Sequence, residues 1–348
     1  MTLSTPGQSD VSLRRWSAGR LAEILVLSAV GWAVVAVGCL CVGSNGKFGW
    51  ASDTSARNFR LEVVLISSLV GASLAAAGVV YQAILRNPLA DPFLLGVSGG
   101  ASLCAFAWRL PLMGALAGSV LGAVGQQSFA FVGAMAIVAM VLILATRGGR
   151  LQPITLLLAG VIMNSILGAI FLLLNTLFPD AAAGMGGAAG FLVGTIQTDL
   201  TRRQEYAAAA VAMAGFIAIL ALSGQLNVAT LSEAEAESLG VRIQRLRWGG
   251  LIVASIVTAA AVSISGSIGF VGLICPHMAR RLVGPDHRRL LPTATALGAA
   301  LLAGANALSR FLAAPGFLGA QLPVGVLTAL LGGPFFLLLL WESRRSGE

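Results

Sequence analysis

Ten apolar stretches of about the length needed to cross a bilayer dominate this chain. A membrane-spanning helix takes about 20 apolar residues. Apolar residues make up 57% of the 348 residues, while charged residues make up 10%, against about 25% in soluble domains. The sequence therefore excludes a water-soluble globule and predicts an all-α, polytopic membrane protein with about ten transmembrane helices. The stretches are residues 21–43, 61–83, 93–110, 127–146, 152–176, 204–223, 247–265, 268–283, 290–312 and 323–341.

The stretches form one predicted transmembrane domain, residues 21–341, between a polar tail at 1–20 and a short tail at 342–348. The N-terminal tail carries three arginines and looks like the start of a signal peptide. The apolar run after it is too long for a signal-peptide core, and no clean small-residue cleavage site follows. We therefore interpret residues 21–43 as the first span.

The distribution of basic residues indicates the orientation of the chain. With the N-terminus inside, only seven of the 22 basic residues fall on the outer side, and the positive-inside rule then places both termini in the cytoplasm. No basic run is longer than two residues, so the net charge of +8 reflects topology rather than a nucleic-acid surface. The seven outer residues are Lys47, Arg57, Arg60, Arg109, Arg202, Arg203 and Arg310.

A weak internal repeat is visible at an offset of 188 residues. Residues 77–96 match residues 265–284 at five glycine, proline or leucine positions. Each segment joins a full span to a short span that contains glycine and proline. An odd number of spans separates them, so the two halves would have opposite orientation, as in transporters built from inverted repeats.

Several chemical groups are missing from this sequence. No Asp or Glu lies near the middle of a span, which argues against a proton-driven carrier. The only lysine, Lys47, is not followed by Ser or Thr, so there is no phosphate-binding loop. The two histidines and four cysteines have no usual metal-ligand spacing. We therefore expect no catalytic residue, cofactor or metal site, and a passive pore or a subunit energised by another chain remains.

Two polar features fit such a subunit. In the polar segment 226–247, Ser232 can cap a short helix that Gly240 ends, and this helix is either a docking element or a solvated loop helix. The fifth span carries Asn164, Ser165 and Asn175. Asn164 and Asn175 are 11 residues apart, so they share a helix face, and polar groups facing lipid are costly. We expect that face to line the translocation path.

The segment 86–98, RNPLADPFLLGVS, resembles the signature of the FecCD-type ABC importer permeases. The resemblance continues, in the same order, at 158–161, 266–273, 276–277, 284–292 and 322–325, and extends from about residue 60 to the C-terminus. The positions that carry the family motif are Asn87, Pro88, Asp91, Pro92, Gly96, Pro276 and His277.

This resemblance implies a specific assembly. Family members are membrane subunits that import ferric siderophores, haem or cobalamin. It implies a homodimer with ten spans per copy and the substrate path between the copies, two cytoplasmic ATPase subunits, and a periplasmic or lipid-anchored substrate-binding protein. The expected location is the bacterial cytoplasmic (inner) membrane, and the expected cargo is an iron complex, ferric siderophores before haem or cobalamin.

The resemblance also assigns residues. The family's ATPase-coupling helix matches residues 231–240, with Glu233, Ala236, Leu239 and Gly240 as contact positions. Arg60 and Arg310 match outer arginines that pair with carboxylates of the binding protein, and Arg57, one turn before Arg60 in a helix, is the candidate to replace the family's second arginine. The sequence departs from the family on this outer side. The departures are Glu62 in place of proline, Val63 in place of a second arginine, Asn306 and Gln321 in place of acids, and Phe191 in place of tryptophan.

Two other classes of protein compete with the importer subunit. A self-sufficient secondary carrier or channel would transport substrate as a purified chain, whereas the importer subunit needs an ATPase. A membrane-embedded enzyme would need a catalytic cluster, and the sequence contains none.

Overall fold

A computed structural model describes residues 18–43, 46, 48–110, 125–179, 188–231, 233–315 and 317–345. This part of the chain is almost wholly helical. One two-residue hairpin, β1 (Thr146–Arg147) and β2 (Arg150–Leu151), and a 3-10 helix, Pro92–Leu95, accompany the α-helices. The α-helices are α1 Ala18–Leu40, α2 Thr54–Leu85, α3 Val97–Trp108, α4 Gly125–Leu144, α5 Pro153–Leu177, α6 Ala188–Val193, α7 Arg202–Ala229, α8 Glu233–Ser238, α9 Ile243–Ser265, α10 Val271–Val283, α11 His287–Leu312 and α12 Val324–Arg345.

Each of the ten predicted spans corresponds to one helix, so the all-α membrane architecture is confirmed. Seven of the described helices are long and apolar enough to cross a membrane. The third and eighth stretches form the short helices α3 and α10, of 12 and 13 residues. The helices α6 and α8 lie in connections between the predicted spans. The chain is a multi-pass membrane protein.

Helix α2 lies at the centre of the molecule, where nearly every residue from Val63 onward is buried. It packs against α9, α10 and α11. Two glycine contacts allow the close approach. A Cβ atom on Gly71 would lie 2.1 Å from the carbonyl oxygen of Gly298, and one on Gly78 would lie 2.0 Å from that of Gly272. Small residues at such contacts let helix backbones approach closely in a bilayer.

Two breaks in the helical structure meet beside this contact. After α2, the 3-10 helix is capped by the Asp91 carboxylate, which accepts from Phe93 N at 2.9 Å. After α9, residues 266–270 are non-helical, and α10 begins only after Phe270, which has a φ of 69°. A Cβ atom on Gly272 would lie 2.7 Å from Pro92 Cδ, so the two new helices start against each other.

The predicted pairing of residues 77–96 with 265–284 places unlike structures opposite each other. The first segment is helical to Leu85, while the second is mostly non-helical until Val271. Pro88 lies in a turn, whereas Pro276 lies inside α10. Glycine and proline suit several backbone conformations, so their matches carry little information about secondary structure. The structure therefore does not support this register.

The α2–α11 contact predicts a difference between two glycines of α11. A Cβ on Gly298 would lie 2.3 Å from Gly71 O, whereas a Cβ on Gly304 would have no neighbour within 4 Å. We expect Gly298→Ala to destabilise the protein by about 1–3 kcal/mol through overpacking. Gly304→Ala should leave stability unchanged or raised, because alanine favours helix. Thermal unfolding of both purified variants in detergent measures this. Equal unfolding midpoints would show that the close approach is not required.

Candidate translocation and coupling sites

The side chain of Arg86 joins the end of α2 to the end of α7. Its Nε donates to the carbonyl oxygen of Ala229 at 2.9 Å, and its Nη2 donates to that of Leu231. The last carbonyls of a helix lack partners within the helix and carry the negative end of its dipole. A guanidinium group is therefore well suited to hold the point where α7 leads into α8.

A second link joins the end of α7 to the start of α11. The side-chain amide of Asn227 donates to Asp286 Oδ1 at 2.8 Å, and its oxygen accepts from the backbone N of His287 at 2.8 Å. The same oxygen lies 2.7 Å from His287 Nδ1. Asp286 also caps α11 by accepting from Arg288 N. The segment before α8 is therefore held by both α2 and α11.

Helix α8 spans Glu233–Ser238, within the predicted coupling element. The predicted cap, Ser232, and the side chain of Glu233 lie outside what the structure describes. Gly240 follows the helix with a φ of 79°, which confirms it as the predicted helix end. Glu235, Glu237 and Leu239 are exposed, and Leu239 is 61% exposed.

Ala236 differs from its neighbours because it is completely buried in the chain's own core. It cannot offer a contact surface to another subunit while α8 keeps this position. Its role is to seat α8 on the membrane domain. An Ala236→Arg change would therefore disturb that packing, whereas the resemblance had assigned Ala236 a contact with the ATPase.

The segment from Arg86 to Gly96 links the α7–α8 connection to α5. Asn87 orders its first turn, because its Oδ1 accepts from Leu89 N at 2.9 Å. At its other end, the Asn164 amide on α5 donates to the carbonyl oxygen of Phe93 at 2.8 Å. A Cβ on Gly160 would lie 1.7 Å from Leu94 O, so α5 and the 3-10 helix are in backbone contact. One short segment thus contacts both the α7–α8 connection and α5.

The three polar residues predicted on α5 separate into two groups. Asn164 faces its own chain, where Phe93 O satisfies its amide. Ser165 is exposed and donates to Val161 O at 3.1 Å, and Asn175 is half-buried. The period of the helix places Asn164 and Asn175 on one face but does not identify the neighbour. The pore-lining role of these three residues stays a prediction, and Ser165 is the most exposed of them.

On the predicted outer side, Arg310 forms the floor of a polar cavity of about 260 Å³. It is only 4% exposed, and its Nε and Nη2 atoms have no hydrogen-bond partner among the described residues. Gln197, Asp199, Asn306 and Gln321 also line the cavity. A buried cation with free donors suits a carboxylate that enters from outside.

The other two predicted docking arginines differ from Arg310. Arg60 is half-buried, and its Nη1 donates to Leu40 O and Gly49 O, both at 2.9 Å, so it fixes the connection between α1 and α2. Arg57 is exposed and donates to Thr54 Oγ1 at 3.0 Å. Of the three, Arg310 has the most unused hydrogen-bonding capacity.

The departures from the family pattern have structural consequences at this cavity. Asn306 is buried, and its amide donates to Ser67 Oγ at 2.9 Å, so it ties α11 to α2. Val63 and Gln321 line the cavity. Phe191 is fully buried, and its carbonyl accepts from Ser267 N at 2.8 Å. With Asn306 and Gln321 neutral, the cavity has Arg310 as its cation and Asp199 as its acid.

The remaining motif residues serve local structure. Pro92 begins the 3-10 helix and Gly96 ends it with a φ of 77°. Pro276 is buried inside α10, and the next residue, His277, packs its ring edge-on against Phe335 at 5.9 Å. Among the described residues, no three His, Cys, Asp or Glu side chains are grouped so that they could hold a metal ion.

Comparison with known proteins defines the family. The model of the FecCD transport family matches residues 23–342. The chain is 41% identical to the cobalamin import system permease protein BtuC of Halobacterium salinarum, covering 81% of this chain and 72% of that protein. It is 38% identical to the hemin transport system permease protein HmuU of Yersinia pestis, covering 83% and 84%.

A solved structure of an ABC transporter assigned to the metal-chelate type, in an inward-facing conformation, matches with a TM-score of 0.77 and 28% identity. The match covers 92% of this chain and 99% of that one. The chain therefore belongs to the FecCD transport family. It is a membrane-spanning permease subunit of an ABC importer, a class of transporter that works with ATPase and substrate-binding subunits.

The geometry of Gly240 gives a sharp prediction. No atom lies within 4 Å of a Cβ built on Gly240, so a larger side chain meets only the cost of the positive φ. Asparagine tolerates this conformation far better than a β-branched residue. We therefore expect substrate uptake to fall in the order Gly240, Gly240→Asn, Gly240→Val. Gly249→Val is the control, since Gly249 also has open space but no positive φ. Equal uptake for Gly240→Asn and Gly240→Val would contradict this interpretation.

Proposed function

We propose that this permease imports an iron complex, with ferric siderophores the favoured class and haem or cobalamin the alternatives. Two copies form the substrate path between them, two cytoplasmic ATPases contact the exposed side of α8, and a periplasmic or lipid-anchored protein delivers substrate at the Arg310 cavity. The membrane is the bacterial cytoplasmic (inner) membrane, with both termini inside. The relatives named above, one for cobalamin and one for hemin, support a bulky metal chelate as the cargo.

The observation that carries this proposal is the chain of contacts from the α7–α8 connection to α5. Arg86 holds the carbonyls that precede α8, and seven residues later Phe93 accepts a hydrogen bond from Asn164 on α5. A permease driven by a separate ATPase needs such a contact, because the force arises outside the membrane and must reach the substrate path. A carrier that works alone has no use for an exposed helix held in this way.

Reconstitution tests the proposed function. We expect proteoliposomes containing this chain, its ATPase and its binding protein to accumulate a ferric siderophore only with ATP present. Liposomes containing the chain alone should accumulate none. Uptake by the chain alone, driven by a proton or sodium gradient, would contradict the proposal and support the secondary carrier. ATP-driven uptake of haem or cobalamin, but not of any ferric siderophore tested, would overturn the favoured cargo only.

The Arg86 contact predicts uncoupling. Hydrogen bonds from a charged group contribute about 1.5–3 kcal/mol each. We expect Arg86→Ala to leave assembly with the ATPase intact but to reduce uptake at least about tenfold relative to ATP hydrolysis. Arg86→Lys should recover part of the uptake, since an ammonium group can reach one of the two carbonyls. The control is Arg150→Ala, because Arg150 is exposed in β2. Equal uptake per ATP in Arg86→Ala and Arg150→Ala would refute the coupling role.

The Arg310 cavity predicts an ordering among the outer arginines. Removing one partner of a buried charge pair costs about 2–5 kcal/mol of binding, whereas an exposed pair is worth about 0.2–1 kcal/mol. We expect Arg310→Gln to weaken binding-protein affinity at least about 30-fold. Arg57→Gln should weaken it no more than about fivefold, and the exposed control Arg203→Gln should not change it. Surface plasmon resonance on variants with unchanged unfolding midpoints measures this. A larger effect of Arg57→Gln would place the docking carboxylate elsewhere.

A further inference from the structure

An apolar groove lies beside α1, on a part of the molecule that neither the coupling contact nor the Arg310 cavity uses. We call it the α1 groove. Its volume is about 380 Å³, and it is lined by α1, the end of α10 and one face of α11. Among the described residues, α1 and α10 each pack against α11 but make little contact with each other. The gap between them, with α11 as its floor, is the groove.

The lining calls for an apolar occupant. Leu27, Leu282 and Leu297 are typical of the side chains that line the groove, and Gly31 has open space where a side chain would stand. The polar groups in the groove are already paired. Ser28 Oγ lies 3.4 Å from Thr293 Oγ1, and Trp32 Nε1 donates to Ser68 Oγ at 3.0 Å. A long hydrocarbon chain fits this surface, and the hydrocarbon core of the membrane is its source.

One end of the groove is basic. Ser28 on α1 meets Thr293 on α11 at one end of the groove, and Val35 and Ala300, each seven residues later, line the other end. The two helices therefore run parallel here, and residues that precede Ser28 and Thr293 lie at the same end. Three arginines from three helices therefore mark the same end. Arg20 lies one turn before Ile24, Arg281 directly precedes Leu282, and Arg289 lies one turn before Thr293.

These arginines have the chemistry of a phosphate site. Arg20 and Arg281 are exposed. Arg289 is half-buried, and its Nε is a buried donor without a partner among the described residues. The acids nearest in sequence are Glu23 on α1 and Asp286, which is already engaged by Asn227 and Arg288 N. The balance at this end of the groove is therefore positive, and guanidinium groups bind phosphate with two parallel hydrogen bonds.

We propose that the α1 groove is a binding site for an anionic phospholipid. One acyl chain lies between α1 and α10 on the floor of α11, and the headgroup phosphate lies among Arg20, Arg281 and Arg289. Basic pockets between transmembrane helices are known to bind anionic headgroups. The lipid would fasten α1, which contacts the rest of the chain along a narrow stripe, to the core of the protein. The inference depends on the protein being in a membrane and not on which substrate it transports.

Lipid competition tests the headgroup part of this proposal. The full chain, purified in detergent, is titrated with phosphatidylglycerol or phosphatidylcholine of identical acyl chains, and retained lipid is counted by native mass spectrometry. We expect preference for phosphatidylglycerol, falling about fivefold for each of Arg20→Gln, Arg281→Gln and Arg289→Gln. The matched control carries Arg147→Gln, Arg150→Gln and Arg242→Gln, three exposed arginines outside the groove. Equal preference in the groove triple variant and the control triple variant would overturn the headgroup assignment.

A second measurement tests the acyl chain, and it remains informative if an arginine variant fails to fold. Phosphatidylglycerol with brominated acyl chains should quench the fluorescence of Trp32, measured as the difference between the native chain and Trp32→Phe. Gly31→Leu fills the groove, so it should abolish this quenching without lowering the unfolding midpoint. Unchanged quenching in Gly31→Leu would overturn the proposal. Quenching that appears only after residues 1–17 are deleted, or cross-linking of α1 to a second copy that excludes lipid, would do so as well.

Discussion

The close approach of α2 to α10 and α11 is the constraint on which the rest of the structure depends. At Gly71 and Gly78 a single added carbon would lie about 2 Å from a carbonyl oxygen of the facing helix. In a bilayer, non-helical backbone is tolerated only where protein covers it, because lipid offers no hydrogen bonds. The contact between Gly78 and Gly272 provides that cover. The breaks after α2 and after α9 can therefore lie against each other inside the protein.

A break of this kind releases backbone groups that a continuous helix would use, and this chain employs them. The carbonyl of Phe93 accepts from Asn164 on α5, and Arg86, just past the end of α2, donates to the carbonyls at the end of α7. The family motif thus joins the end of α7 to α5 through hydrogen bonds. Asn87, Asp91 and Gly96 keep this connection short and defined, as the coupling that we propose between the α7–α8 connection and α5 requires.

Hydropathy and capping rules predicted the positions and ends of many helices from the sequence, because these rules depend on neighbours along the chain. The ten helices and the end of α8 at Gly240 are of this kind. Contacts between distant segments were not predictable. Arg86 reaches a carbonyl 143 residues away, and only its place at the end of a long helix hinted at such a role. The alternating Ala and Glu residues of α8 gave no sign that Ala236 faces inward. Helical period placed Asn164 on a face without identifying its neighbour.

The most direct test of the account is whether α5 moves with α8. Spin labels at Ser165, one in each copy of the assembled transporter, measure the distance between the two α5 helices. Spin labels at Glu237 measure the distance between the two α8 helices in the same way. We expect ATP binding to change both distances in the native protein. In Asn164→Ala, which removes the hydrogen bond to Phe93, the Glu237 distance should still change while the Ser165 distance changes less. An undiminished Ser165 change in Asn164→Ala would contradict the claim that this segment transmits the movement.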